Sequence, residues 1–109
     1  MNKECMVTAF SERVYELCSR VPRGKVTTYK AIAMALGSRG YQAVGQALRC
    51  NPYAPSVPCH RVVASDGGIG GFMGCQRGDE IGKKVRLLCS EGVEVVEGRV
   101  DLEKYFVGV

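Results

Sequence analysis

Four consecutive residues, Pro58, Cys59, His60 and Arg61, hold the side chains best suited to chemistry in this 109-residue chain. A free thiol, with a pKa of about 8.5, is only a few per cent ionised at neutral pH, so a nucleophilic cysteine needs a neighbour that takes its proton or favours its thiolate. His60 supplies an imidazole next in sequence, Arg61 a fixed positive charge after it, and Pro58 restricts the backbone where the thiol is presented. The bland alternative is a buried loop cysteine beside an incidental histidine. The other cysteines, Cys5, Cys18, Cys50, Cys75 and Cys89, form no C-x-x-C pair with one another or with Cys59, and His60 is the only histidine. That pattern points away from a zinc site or a thioredoxin-like centre, and no metal or cofactor is expected. Cys18 and Cys89 fall on apolar helix faces and are expected to be small buried side chains.

The elements that must position this tetrapeptide are mostly helical. A first helix is expected over Thr8–Ser19, with Thr8 as N-cap and Phe10, Val14, Leu17, Cys18 and Val21 recurring at helical spacing. Thr27 or Thr28 can cap a second helix over Tyr29–Leu36, closed by Gly37. A third follows over Tyr41–Cys50, and two short helices across a tight glycine-containing turn make a helix-turn-helix candidate. In the third helix Ala43, Val44, Ala47 and Leu48 form an apolar stripe, whereas Gln42, Gly45, Gln46 and Arg49 make a slim polar face, basic at one end. Such a face could lie against nucleic acid, although a solvated surface has the same composition.

Asn51 and Pro52 break the third helix, and Pro55 and Pro58 then predict an extended loop ending at Pro58-Cys59-His60-Arg61. Residues 67–74 hold five glycines but lack the strand, helix and lysine of a phosphate loop, so they read as a turn in a pocket wall. A further helix is expected over Asp79–Ser90, with Ile81, Val85, Leu88 and Cys89 inward and Glu91 delivered at its end. Val93–Val96 and Arg99–Asp101 flank Glu97-Gly98 as a small hairpin.

The net charge of +4 is unevenly spread. Residues 1–64 hold nine Lys/Arg against three acids, and residues 65–109 hold six against eight. A basic first half suits a polyanionic partner. The longest apolar run, Ala31–Leu36, is six residues, far short of the about 20 that a membrane helix needs. Residues 1–10 show no signal-like apolar stretch, so a single cytoplasmic domain spanning residues 1–109 is expected.

From about Phe10 to Leu102 the chain resembles the O6-alkylguanine-DNA alkyltransferases and their inactive relatives, the alkyltransferase-like proteins. The resemblance is carried by Arg23-Gly24-Lys25-Val26-Thr27-Thr28-Tyr29, Ala43-Val44-Gly45, Asn51-Pro52, Pro58-Cys59-His60-Arg61-Val62-Val63, Gly67-Gly68-Ile69-Gly70-Gly71-Phe72 and Glu91-Gly92. It implies a mostly α, winged-helix-like helix-turn-helix domain with a small C-terminal hairpin. Such a monomer binds duplex DNA, rotates an alkylated guanine out of the stack and needs no cofactor.

The resemblance also implies roles. Cys59 matches the alkyl acceptor, His60 the residue that withdraws the thiol proton through a water, Glu91 the carboxylate that orients and charges the histidine, and Asn51 a brace between the active-site loop and the helix-turn-helix. Tyr29 matches an aromatic pressed on the phosphate backbone; Gln42, Ala43, Gly45, Gln46 and Arg49 fall on the DNA-reading helix; and Pro58, Phe72 and Met73 line the base pocket. Gln42 stands where the family usually places an arginine that fills the vacated stack, and Met73 where a small hydroxyl residue is frequent. The length matches the family's DNA-binding half, a size typical of the alkyltransferase-like proteins, but those commonly replace the acceptor cysteine by tryptophan, and this chain keeps Cys59 and has no tryptophan. An active single-turnover alkyltransferase is therefore expected. A lesion sensor that recruits excision repair is the second reading, and a helix-turn-helix transcription regulator the third.

Overall fold

The computed structural model describes residues 8–37, 41–49, 52–53, 56–69 and 78–109. In chain order these form α1 (Ala9–Ser19), β1 (Thr27–Thr28), α2 (Tyr29–Ala35), α3 (Tyr41–Arg49), a 3-10 turn (Cys59–Arg61), β2 (Val62–Val63), α4 (Gly78–Ser90), β3 (Val95–Val96), β4 (Arg99–Val100) and α5 (Leu102–Tyr105). The fold is mostly helical with a small antiparallel strand pair, as expected.

Local chemistry sets the helix starts. Thr8 caps α1 reciprocally: its hydroxyl accepts from the Ser11 amide at 3.1 Å, and the Ser11 hydroxyl accepts from the Thr8 amide at 2.7 Å. Of the two threonines that could begin α2, Thr28 does so, its hydroxyl accepting from the Ala31 amide at 3.0 Å. Thr27 is fully buried instead.

The long-range organiser is a parallel pairing of β1 with β2, Thr27 opposite Val62 and Thr28 opposite Val63. Successive strand residues point to opposite faces, so Val62 joins a helical core with Val14, Cys18, Ile32, Val44 and Leu48. Val63 joins a second core with Val26, Ile69, Leu88, Val93, Val100 and Tyr105. The ribbon is thus the seam between α1–α3 on one side and α4 with the hairpin on the other. Sequence spacing did not reveal it, because two-residue strands carry no readable alternation and their partner lies over thirty positions away.

The second core is closed by the chain's end. Val26 donates to the Tyr105 carbonyl at 2.9 Å and accepts from the Val107 amide at 2.8 Å, a long-range docking that no local spacing encodes. The expected hairpin is present, with Val95 opposite Val100, and its turn places both Glu97 (φ 51°) and Gly98 (φ 75°) in the left-handed region that a two-residue hairpin turn requires. Gly67 (φ 88°) is obligatory for a second reason: a Cβ there would run into the Val100 carbonyl oxygen.

Several expectations are corrected. The run into Cys59 is not extended to its end: residues 59–61 coil into a 3-10 turn, the Arg61 amide bonding the Pro58 carbonyl at 2.9 Å. In α3, Val44, Ala47 and Leu48 are buried but Ala43 is exposed, since a stripe four residues wide is broader than the contact with α1 and α2. In α4, Leu88 is buried and Val85 half-buried, but Cys89 is exposed and Lys84 takes an inward position with no exposure at all. The side chain of Ile81 lies outside the described residues. Among the described residues no helix is long and apolar enough to cross a membrane.

Tyr15 was not singled out by pattern, yet it ties α1 to α3: its buried hydroxyl donates to the Ala47 carbonyl at 2.7 Å. Its ring also meets Tyr53 edge-on, centroids 5.7 Å apart, anchoring the segment before the Cys59 turn. Tyr15→Phe leaves that carbonyl unsatisfied, and urea unfolding should show a loss of about 1–2 kcal/mol with unchanged m-value.

Candidate functional site

Cys59 sits at the first position of the 3-10 turn and is 6% exposed. Pro58, itself buried, precedes it in a conformation (φ −83°, ψ 72°) that ends the incoming loop, and the Cys59 amide bonds the Val57 carbonyl at 2.8 Å. The turn runs straight into β2, so its hold on β1 fixes the thiol relative to α1 and α2.

His60 is 3% exposed, and its Nε2 lies 2.9 Å from Glu91 Oε2. Glu91 stands just past α4, with 7% of its side chain exposed. Arg61 grips the same carboxylate side-on, Nε donating to Oε1 at 2.8 Å and Nη2 to Oε2 at 2.7 Å. Its Nη1 donates to the Val21 carbonyl at 2.9 Å, just beyond α1. The arginine expected to favour the Cys59 thiolate is therefore bound to a carboxylate of opposite charge. Its positive charge is spent on Glu91, a partner that adjacency in sequence could not reveal.

These contacts set the protonation states. Burial pushes the Glu91 carboxyl up, but hydrogen bonds from Arg61 and His60, with their charges, outweigh it and bring the pKa down to about 2. As an anion Glu91 can only accept, so His60 Nε2 carries the hydrogen and the lone pair of the neutral ring falls to Nδ1. Burial lowers the His60 pKa below its ordinary 6.5; Glu91 opposes this, while the charges of Arg61 and Lys84 add to it. At neutral pH the imidazole is thus an unprotonated base.

Lys84 is the residue that pattern reasoning missed. Its Nζ donates to the Val62 carbonyl at 2.8 Å, holding α4 on β2. Burial lowers its pKa to about 8, and the proximity of Cys59 and Cys18 works against that shift. A signal was available: Lys84 precedes Leu88 by four positions and so shares its inward face. Cys18 is buried as expected, and burial pushes its thiol up to about 12.

The α3 residues proposed to meet DNA, Gln42, Ala43, Gln46 and Arg49, are exposed, with Gly45 half-buried among them. Tyr29, at the start of α2, is half-buried against the helical core, and burial raises its phenol to about 12. Asn51, Phe72 and Met73 lie outside the described residues. Among the described residues no three His, Cys, Asp or Glu converge as metal ligands would.

The pH dependence of stability follows from the two shifts. A carboxylate depressed in the fold stabilises above its ordinary value of 4.5, and that contribution is lost as pH falls toward about 2. His60, buried neutral, adds a loss that begins as pH drops below 6.5, where only the unfolded chain binds the proton. Denaturant melts should therefore show stability falling from pH 6.5 downward, and Glu91→Gln should lose stability at neutral pH and flatten the fall between 4.5 and 2.

Residues 9–93 match the family model of the 6-O-methylguanine DNA methyltransferase DNA-binding domain. A methylated-DNA–protein-cysteine methyltransferase of Saccharolobus islandicus is 46% identical over 88 residues, 81% of this chain and 54% of that protein. Among solved structures, the O6-methylguanine-DNA methyltransferase of Pyrococcus kodakaraensis aligns with a TM-score of 0.68 at 48% identity, covering 80% of this chain and 48% of that one. The S. pombe Atl1 protein, in complex with damaged DNA containing O6-carboxymethylguanine, aligns with a TM-score of 0.76 at 30% identity, covering 92% and 95%. The chain spans 30% to 58% of the length of the curated methyltransferases it matches.

Proposed function

The chain belongs to the O6-methylguanine DNA methyltransferase family by its DNA-binding domain, and from that premise we propose that it is an alkyl acceptor acting on duplex DNA. In the proposed reaction the α2–α3 helix pair engages the duplex, an O6-alkylguanine leaves the stack, and Cys59 Sγ attacks the alkyl carbon. The carbon–sulfur bond forms as the carbon–oxygen bond breaks, the bonding pair leaving on guanine O6. The thiol proton moves through water to His60 and from there to the departing base. A thioether has no easy route back to a thiol, so each molecule reacts once.

The observation that carries this reading is the His60–Glu91 contact of 2.9 Å beside Cys59. A buried base, unprotonated at neutral pH and held in one tautomer, is what a thiol nucleophile needs, and what a passive structural cysteine does not. Burial of Cys59 in turn requires that a paired guanine be extruded to reach it. Arg49, exposed in the last turn of α3, suits a phosphate contact.

The second reading, a non-enzymatic lesion sensor that recruits excision repair, is favoured by the likeness to S. pombe Atl1, solved in complex with damaged DNA containing O6-carboxymethylguanine. Intact-protein mass spectrometry after incubation with an O6-methylguanine duplex separates the two. The acceptor reading expects one methyl per molecule, on Cys59, and no gain with Cys59→Ala, which still binds the lesion. Tight binding without a mass gain by the wild-type chain would favour the sensor.

Gln42 tests the flipping step. A side chain that fills the vacated stack offsets part of an unstacking cost of a few kcal/mol. Gln42→Arg should therefore speed transfer from duplex DNA, about tenfold if it recovers about 1.4 kcal/mol, and leave transfer from free alkylguanine unchanged. Equal acceleration of both would show that Gln42 is not a weakened wedge.

A further inference from the structure

The Glu91 carboxylate has two oxygens and three side-chain donors. Arg61 takes Oε1 with Nε and Oε2 with Nη2, and His60 Nε2 shares Oε2. The third bond of the guanidinium, Nη1 to the Val21 carbonyl at 2.9 Å, locks its plane to the end of α1. With 16% of its side chain exposed, Arg61 is a mostly buried strut between the ends of α1 and α4, with the nucleophile's turn as its base.

We propose that Arg61 is the positioning residue of this site: by occupying both oxygens of Glu91 it fixes the orientation of His60 and keeps that imidazole empty of a second proton at rest. The proposal gives a mechanism to the acceptor reading and rests on it. The charge count around the ring supports it. His60 meets the charges of Glu91 beyond α4, Arg61 on its own turn and Lys84 from α4, with Cys59 next to it in sequence and Cys18 of α1 near Cys59, Arg61 and Lys84. With Lys84 charged, protonating His60 would set three positive groups against the single carboxylate, and the bidentate fork already neutralises that carboxylate.

Without Arg61 the whole charge of Glu91 would be available to the ring, and His60 would become the stronger base. It would then hold a proton when a thiol arrives, and hold it longer when a departing guanine needs one. A weak base with a fixed Nδ1 lone pair accepts the Cys59 proton and passes it on to the departing base. Lysine cannot replace the fork, since a single ammonium leaves the carboxylate free to rotate.

Because His60 is the chain's only histidine, its ring protons give one NMR titration, readable without DNA. The wild-type midpoint should lie below 6.5. Arg61→Gln should raise proton affinity about tenfold, one pH unit, with Arg61→Lys in between, and the acid limb of alkyl transfer should move with the midpoint. A folded Arg61→Gln whose midpoint matches wild type would reduce Arg61 to a structural strut. Should that variant not fold, the unaltered chain supplies the test. The Arg61 Nε–H should be protected from exchange and shift with the His60 titration, and a fast-exchanging or unresponsive signal would overturn the proposal. Failure of Cys59 to accept an alkyl group would instead sink the functional reading and leave this titration standing.

Discussion

A carboxylate removed from water must be compensated by donors at hydrogen-bond distance, and this requirement at Glu91 joins the parts of the molecule that meet around Cys59. Its donors come from the 3-10 turn, at 2.7 to 2.9 Å, and one of them reaches on to the end of α1. Removing either partner would leave a nearly dry charge uncompensated, which is far costlier than the modest net worth of the pair. The pair therefore acts less as a source of stability than as a fastener, permitting one relative placement of α1, α4 and the turn. The position of the thiol and the tautomer of the imidazole are consequences of that placement.

The same seam is fastened twice more, by different chemistry. The β1–β2 ladder places Val62 and Val63 into separate cores, and Lys84 crosses from α4 to the Val62 carbonyl. Burying an ammonium opposes folding, as its lowered pKa records. An apolar residue at that position would fill the space without this cost. Lysine does something an apolar residue cannot, pinning α4 to the strand that continues from the Cys59 turn while setting a positive charge near two thiols.

Which features were legible follows from their physical range. Thr8, Thr28, Gly37 and the hairpin turn act on their immediate neighbours, and helical periodicity reports a face within one element, so α1, α2, α3, α4 and the hairpin could be read from spacing. The parallel ribbon, the docking of Val107 on Val26 and the Tyr15 bond to Ala47 join distant positions, and nothing local encodes them. Where periodicity misled, it did so at stripe edges: Ala43 and Cys89 are small enough to sit on either side of a boundary, whereas Lys84 lay on the inward face and was passed over because of its charge. Cys59 and His60 stood out by their chemistry alone. Glu91 did not, since a helix-end acid is ordinarily solvated, and only the resemblance to a known family set it beside the histidine.

In the acceptor reading the arrangement separates recognition from chemistry. The exposed face of α3 carries two glutamines and one arginine, able to meet phosphates and base edges from solvent, while Cys59 and His60 lie almost wholly inside. Water screens the first set and hardly reaches the second, so in that reading salt acts on DNA affinity through counterion release while the buried network keeps its strength. A thiol so enclosed gains an orientation that no loop cysteine in water could keep, and loses access to any base still held in a duplex. In the acceptor reading that loss is itself selective: a normal base pair resists extrusion, a weakened one yields, and the buried site discriminates before any contact with the alkyl group is made.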